Sequence, residues 1–150
     1  MPGVLSWKVE PTAGTTDYAV AIFYGALTTG KYVCYLRSDT KLPMMYMPDA
    51  IRATIELMEA PAEQVKIRSS YNLAGISFTP KQIAKEVTKH LPNFEMTYNP
   101  DSRQEIANSW PSSIDDSYAK KDWGWGLKYD LEKMAIDMIQ NLISKYKQKL

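Results

Sequence analysis

The sequence holds one cysteine, Cys34, and one histidine, His90, in 150 residues. A lone cysteine excludes an internal disulfide, and within an apolar run it reads as a small buried hydrophobe in a reducing compartment. A single histidine near a helix end leaves no cluster to hold a metal, so no metal site is expected. Net charge is also lacking. The 18 Lys and Arg against 17 Asp and Glu give +1, which excludes the basic footprint that nucleic acid or an anionic membrane would need. No uncharged apolar run approaches the roughly 18 residues of a membrane span, and Met1-Pro2-Gly3 opens without a basic or amphipathic targeting pattern. The expectation is a soluble chain with neither nucleic acid nor membrane as a partner. Absent too are Gly-x-Gly-x-x-Gly, a P-loop, Gly-x-Ser-x-Gly, Cys-x-x-Cys and His-Glu-x-x-His.

What is present is an ordinary globular composition, 45% hydrophobic, of a length suited to one domain over residues 1–150. Strand-like and helix-like segments alternate, which argues an α/β architecture. Residues 16–29 carry Ala19, Ile22, Phe23, Ala26 and Leu27 at helical spacing before Gly30. Residues 31–36, 42–47, 70–74 and 94–98 have strand content. Pro48 opens a second helix whose Ile51, Ile55, Leu57 and Met58 are expected to be mostly core. Thr79-Pro80-Lys81-Gln82 spells a capping box with proline in the first turn, and Ile83, Val87 and Leu91 mark the buried side of the helix it starts. Asp101-Ser102 and Asp115-Asp116 read as further helix starts. A last helix runs over 131–146, with Lys145, Lys147 and Lys149 suited to its C-terminal end.

The most suggestive stretch is Gly14-Thr15-Thr16-Asp17-Tyr18-Ala19, a polar loop running into an apolar helix. With Thr15 or Thr16 as cap and Asp17 in the first turn, it forms a helix mouth whose N–H groups and hydroxyls suit a carboxylate or another small anion. A second pattern, Tyr129-x-x-x-Lys133 with Ser117 twelve residues upstream, has the spacing of a proton-transfer pair. Asp130, however, reads as the cap of the last helix, which leaves Tyr129 outside it, and a lowered phenol pKa needs a cleft. No residue of the chain is assigned a catalytic role.

Several blocks together resemble a known family. They are Pro2-Gly3-Val4, the Gly14 to Val20 loop, Leu42-Pro43-Met44-Met45-Tyr46-Met47-Pro48-Asp49, Ser77-Phe78-Thr79-Pro80, Arg103-Gln104-Glu105-Ile106-Ala107-Asn108-Ser109-Trp110-Pro111, and the stretch from Ser113-Ile114-Asp115-Asp116-Ser117 to Asp122-Trp123-Gly124-Trp125. The resemblance is to the short-chain type of L-threonine 3-dehydrogenase, within the extended NAD-dependent epimerase/dehydratase superfamily. It implies the C-terminal part of a Rossmann-like extended short-chain dehydrogenase with its substrate-binding region, the N-terminal nucleotide-binding half being missing. The cofactor implied is NAD and the substrate L-threonine, oxidised to 2-amino-3-oxobutanoate. The glycine-rich NAD loop and the Tyr-x-x-x-Lys helix of the family have no counterpart here, so the chain alone is expected to be inactive.

Residue by residue, the resemblance places Val4 at the nicotinamide end of NAD. Gly14, Thr15 and Thr16 match the loop that meets the threonine carboxylate or amino group, and Trp110 matches a tryptophan that closes over the substrate. Where the family usually has three glycines before the threonines, this chain has Thr12-Ala13-Gly14. Met44 and Met45 stand where nucleotide-sugar enzymes tend to carry a diphosphate-binding arginine, which disfavours a sugar-nucleotide substrate. The alternatives are a nucleotide-sugar epimerase/dehydratase fragment and a non-catalytic interaction fragment. The resemblance also implies a homodimer in the complete enzyme and a location that is cytoplasmic in bacteria or mitochondrial in eukaryotes. With half a doubly wound sheet absent, the first helix and its neighbouring strands are expected to lack part of their apolar cover.

Overall fold

The computed structural model describes residues 2–147, so Lys149 lies outside the described residues. In chain order the elements are β1 (Gly3–Leu5), α1 (Tyr18–Thr28), β2 (Lys31–Cys34), β3 (Leu42–Tyr46), α2 (Met47–Glu59), β4 (Ile76–Phe78), α3 (Pro80–His90), β5 (Glu95–Tyr98), α4 (Arg103–Asn108), α5 (Ser117–Trp123) and α6 (Leu131–Lys147). β3 is the middle strand of a three-stranded sheet, parallel to β1 with Gly3 opposite Met44, and antiparallel to β4 with Pro43 opposite Ser77. β2 and β5 form a separate parallel pair, Lys31 opposite Glu95 and Cys34 opposite Tyr98. All five residues of β3 are buried, as befits a central strand covered on both faces. The result is a mixed α/β fold with a partial sheet.

Helices α1, α3 and α6 pack on one another. Their apolar stripes join one core containing Tyr18, Ile22, Phe23, Ile83, Val87, Met134, Met138 and Leu142, each fully buried, where a large aliphatic or aromatic side chain contributes about 1.5–3 kcal/mol. A smaller cluster of Met45, Ala53, Ala119 and Trp125 seals the junction of β3, α2 and α5. The expected ends of α3 and α6 are observed. The Thr79 hydroxyl accepts from the Gln82 N–H at 3.2 Å while the Gln82 side chain accepts from the Thr79 N–H at 2.9 Å, and the Asp130 carboxylate accepts from the Lys133 N–H at 2.8 Å. Gly124, at φ +78°, takes the left-handed turn that ends α5.

Four expectations are corrected, among them that the apolar side of α2 is mostly core. The apolar face of α1 is covered: Tyr18, Ala19, Val20, Ile22, Phe23 and Ala26 are all buried. The exposed stripe lies instead on α2, where Ile51, Ile55 and Met58 are 54%, 48% and 80% exposed; helical spacing marks an apolar face but not what covers it. Residues 70–74 are not a strand. Tyr71 is held by side-chain bonds, its hydroxyl donating to Asp122 at 2.8 Å and accepting from the Ile67 N–H at 3.1 Å, and ladder pairing begins only at Ile76. Finally, α1 begins at Tyr18 rather than residue 16, for a reason that lies in the candidate site.

Candidate functional site

The loop before α1 is closed by its own aspartate. The Asp17 carboxylate turns back to accept from the Thr12 N–H at 2.7 Å, the Thr12 hydroxyl at 2.6 Å and the Gly14 N–H at 3.3 Å. Asp17 stands at the cap position with φ −68° and ψ −15°, in a turn closed by Asp17 N–H to Gly14 C=O at 3.1 Å. Thr15 and Thr16 therefore do not cap the helix, and Asp17 is not in its first turn. Of the N–H groups expected to greet an outside anion, that of Gly14 is occupied by Asp17. The hydroxyls of Thr15 and Thr16, by contrast, make no hydrogen bond among the described residues and stay half-buried.

Thr16 lies against β1. A Cβ placed on Gly3 would come within 2.8 Å of the Thr16 Cβ and 2.7 Å of the Met44 sulfur, so glycine is required for the loop to approach the strand this closely. On the same strand Val4 points outward, 41% exposed between buried Gly3 and Leu5. Val4 borders two cavities. One, of about 240 Å³, is lined by Thr12, Asp17, Val20 and Met47; the other, of about 300 Å³, by Pro2, Met45, Tyr71, Leu73 and Ile114. The second has no charged side chain in its wall. An apolar wall of this kind fits the face of a planar nicotinamide ring and does not fit a diphosphate.

Trp110 lines a third cavity of about 500 Å³, with Pro43, Pro111, Ser113 and Asp115. It adjoins the second of the Val4 cavities, since Asn72 and Ile114 border both. The structure thus brings Val4 and the Thr16 strand contact together and sets Trp110 one cavity away. Gly14, Thr15 and Thr16 line none of these cavities; of the loop, Thr12 and Asp17 do. Asn72, exposed at the junction, was not singled out from the sequence, since it sits in a stretch whose strand-like pattern gave no hint of a cavity wall; Asp17, read there as a first-turn residue, instead braces the loop.

A further residue missed from the sequence is Tyr35. Its hydroxyl donates to the Gly14 C=O at 2.7 Å. Burial pushes this phenol up to about 12, with the Arg103 guanidinium and the Tyr18 amide pulling the other way, so at neutral pH it remains a donor. Arg103 lies over the ring, 3.2 Å from its centroid, and is forked onto Asp101 at 2.5–3.1 Å. That pairing holds the Asp101 carboxyl below its ordinary range.

Tyr129 and Lys133 share a shallow groove with Lys128 and Asp137, away from Val4 and Trp110. Asp130 does cap α6 and leaves Tyr129 outside it. No group of three or more His, Cys, Asp and Glu that could hold a metal occurs among the described residues, and none of their helices is long and apolar enough to cross a membrane.

No family model matches the chain. It is 51% identical to mitochondrial L-threonine 3-dehydrogenase from Bos taurus over 139 residues, 92% of this chain but 37% of the relative. It is 47% identical to an uncharacterized epimerase/dehydratase from Staphylococcus haemolyticus, covering 99% of this chain and 47% of the relative. Among solved structures, the holo form of a GalE-like L-threonine dehydrogenase from Cupriavidus necator superposes with a TM-score of 0.91 at 58% identity, over 94% of this chain and 46% of that one. The chain spans somewhat under half the length of these relatives.

Proposed function

We propose, on the premise that this chain belongs with the extended short-chain dehydrogenases of the epimerase/dehydratase superfamily as a segment of about half their length, that it forms the substrate-facing part of an NAD-dependent L-threonine 3-dehydrogenase. The observation that carries the reading is Val4, exposed on an otherwise buried strand, with Thr16 packed behind it on Gly3 and Trp110 on the adjoining cavity. Residues 1–150 act in this reading as one substrate-binding unit.

The roles of the chain's own residues follow from their chemistry. Thr15 and Thr16 present hydroxyls with no partner among the described residues, able to bond the ammonium and carboxylate of a small zwitterion. Asp17 keeps the loop in shape and adds a negative charge on the ammonium side. Trp110 covers the cavity and excludes water, which strengthens the few polar contacts inside. Pro2, Val4 and Met45 offer the apolar wall for the nicotinamide ring. NAD, when bound, accepts the hydrogen and two electrons lost from the threonine carbinol carbon, giving 2-amino-3-oxobutanoate. The diphosphate and the abstracted proton fall to residues outside this chain, which is therefore inactive by itself; in the complete enzyme the unit works as a homodimer, cytoplasmic or mitochondrial according to source.

Two features speak against a nucleotide-sugar substrate. Met44 and Met45 are buried at 0% and 2% exposure, and Arg103 is committed to Asp101 and the Tyr35 ring, so neither position presents a free cation to a diphosphate. The test is steady-state kinetics on the chain joined to an NAD-binding half. Thr16→Val leaves a substrate polar group unpaired at about 1–3 kcal/mol, a tenfold to hundredfold loss in kcat/KM for L-threonine. Trp110→Ala lowers kcat as well, through water entry and looser alignment. NAD affinity stays the same in both. Unchanged threonine kinetics, or a loss confined to NAD, would overturn the assignment.

A further inference from the structure

The two segments assigned to substrate, the loop at 14–17 and the segment ending in Trp110, lie almost a hundred residues apart in sequence and line different cavities. Between them stands one aromatic ring. From the loop side, the Tyr35 hydroxyl donates to the Gly14 C=O at 2.7 Å, and so ties the loop before α1 to the segment that follows β2. From the other side, the Arg103 guanidinium rests on the ring face at 3.2 Å. Arg103 is the first residue of α4, whose end hands directly to the tryptophan: Ser109 N–H bonds Ile106 C=O and Trp110 N–H bonds Ala107 C=O, both at 3.1 Å. The ring itself is fixed edge-on against buried Tyr18, 6.4 Å between centroids. Asp101 pins the guanidinium in plane by the fork already described, and its own N–H returns to Tyr35 C=O at 3.2 Å.

We propose that Tyr35 is a positioning residue that holds the 14–17 loop and the α4–Trp110 segment as one unit, so that the polar and the covering sides of the substrate site keep a fixed spacing. A hydroxyl and a ring face on one side chain can do this because they engage two partners at once, the carbonyl through the oxygen and the cation through the π face. Phenylalanine would keep the second contact and lose the first. The consequence for threonine rests on the function proposed above; the mechanical coupling does not.

The test has two readouts. In the 150-residue chain, amide hydrogen exchange is followed at Asp17 and Ala19 on one side and at Ser109 and Trp110 on the other, for wild type, Tyr35→Phe and Arg103→Met. Loss of this one hydrogen bond, at a net value of about 1 kcal/mol, predicts about fivefold faster exchange at Asp17 and Ala19 in Tyr35→Phe. Coupling predicts that Arg103→Met, far from the loop in sequence, also speeds those two amides, while circular dichroism remains that of the wild type. Exchange changes in Arg103→Met confined to residues 101–110, or no change at Asp17 and Ala19 in Tyr35→Phe, would overturn the proposal; Arg103→Met decides it if Tyr35→Phe does not fold. In the chain joined to an NAD-binding half, Tyr35→Phe raises KM for L-threonine by a similar factor and leaves KM for NAD alone, and its effect combines with that of Trp110→Ala less than multiplicatively. Multiplicative effects would refute the shared spacing. A joined wild-type protein that does not oxidise threonine would refute the functional reading and leave the exchange result to decide the coupling.

Discussion

Asp17→Ala removes the acceptor that closes the loop before α1, and its effect can be worked from three bonds. Those from Thr12, through its amide at 2.7 Å and its hydroxyl at 2.6 Å, are short, while that from the Gly14 amide is long at 3.3 Å. Thr12 and Gly14 are exposed, so in the variant water takes over their donors and no desolvation cost is left behind. Two good bonds at the net value of an exposed pair give about 1–2 kcal/mol, with the third adding little. For a chain of this size that is a fall in Tm of about 2–8 °C. The turn at Asp17 N–H to Gly14 C=O also loses its brace, so the Thr15 and Thr16 hydroxyls sample many directions, and KM for L-threonine in the joined enzyme rises. Thermal denaturation of wild type, Asp17→Ala and Asp17→Ser checks the figure. Serine keeps an acceptor at the cap and should recover part of the loss. A Tm unchanged in Asp17→Ala, with unaltered exchange at Thr12 and Gly14, would refute the view that this carboxylate shapes the loop.

Other consequences follow from the same structure. Asp49 is 1% exposed and accepts from Arg52 at 2.8 Å and from the Lys128 and Tyr129 amides at 3.0–3.2 Å; Asp49→Ala leaves those amides without their acceptor while Arg52 keeps Glu56 and the Gly126 C=O, costs about 1–3 kcal/mol, and should show as a drop in the urea midpoint. Burial raises Cys34 from 9.0 to about 11 and Tyr35 from 10.0 to about 12. Each group binds its proton more tightly folded than unfolded, so its contribution is fully present below the unfolded value and is lost as pH rises through the folded one. Stability measured by urea titration should therefore decline between about pH 9 and pH 12, and a flat profile there would count against the burial. The Cys34 thiol, fully buried, should react with a thiol reagent at the rate of global unfolding and not faster.

Much of the fold was legible because it rests on local rules. The capping box at Thr79 and Gln82, the Asp130 cap and the stripe of α6 are each written within four or seven residues. What was not legible depended on distant partners. The spacing of Ile51, Ile55 and Met58 announces an apolar face, yet nothing in it says that the described chain leaves that face uncovered. Ser70 to Ala74 has strand-like residues, but Tyr71 bonds Asp122, 51 residues away, and no neighbouring strand accepts the segment. At the site, the resemblance named Val4, Gly14, Thr15, Thr16 and Trp110; of these Val4 and Trp110 line cavities and Thr16 packs on Gly3, while Gly14 and Thr15 line no cavity with them. It could not reveal that Asp17 would turn back on Thr12, because a carboxylate beside two threonines fits a first-turn position equally well. Nor could it reveal Tyr35, whose neighbours Gly14 and Arg103 are 21 and 68 residues away and whose strand pattern reads simply as core.

The most direct measurement is L-threonine-dependent reduction of NAD, compared between the purified 150-residue chain and the same chain joined to the NAD-binding half of a relative such as the Cupriavidus necator enzyme. The account predicts no turnover by the chain alone and threonine-specific turnover by the joined protein. Turnover by the chain alone would return the proton-transfer role to the Tyr129 and Lys133 groove, and a joined protein that binds NAD but ignores threonine would contradict the substrate assignment.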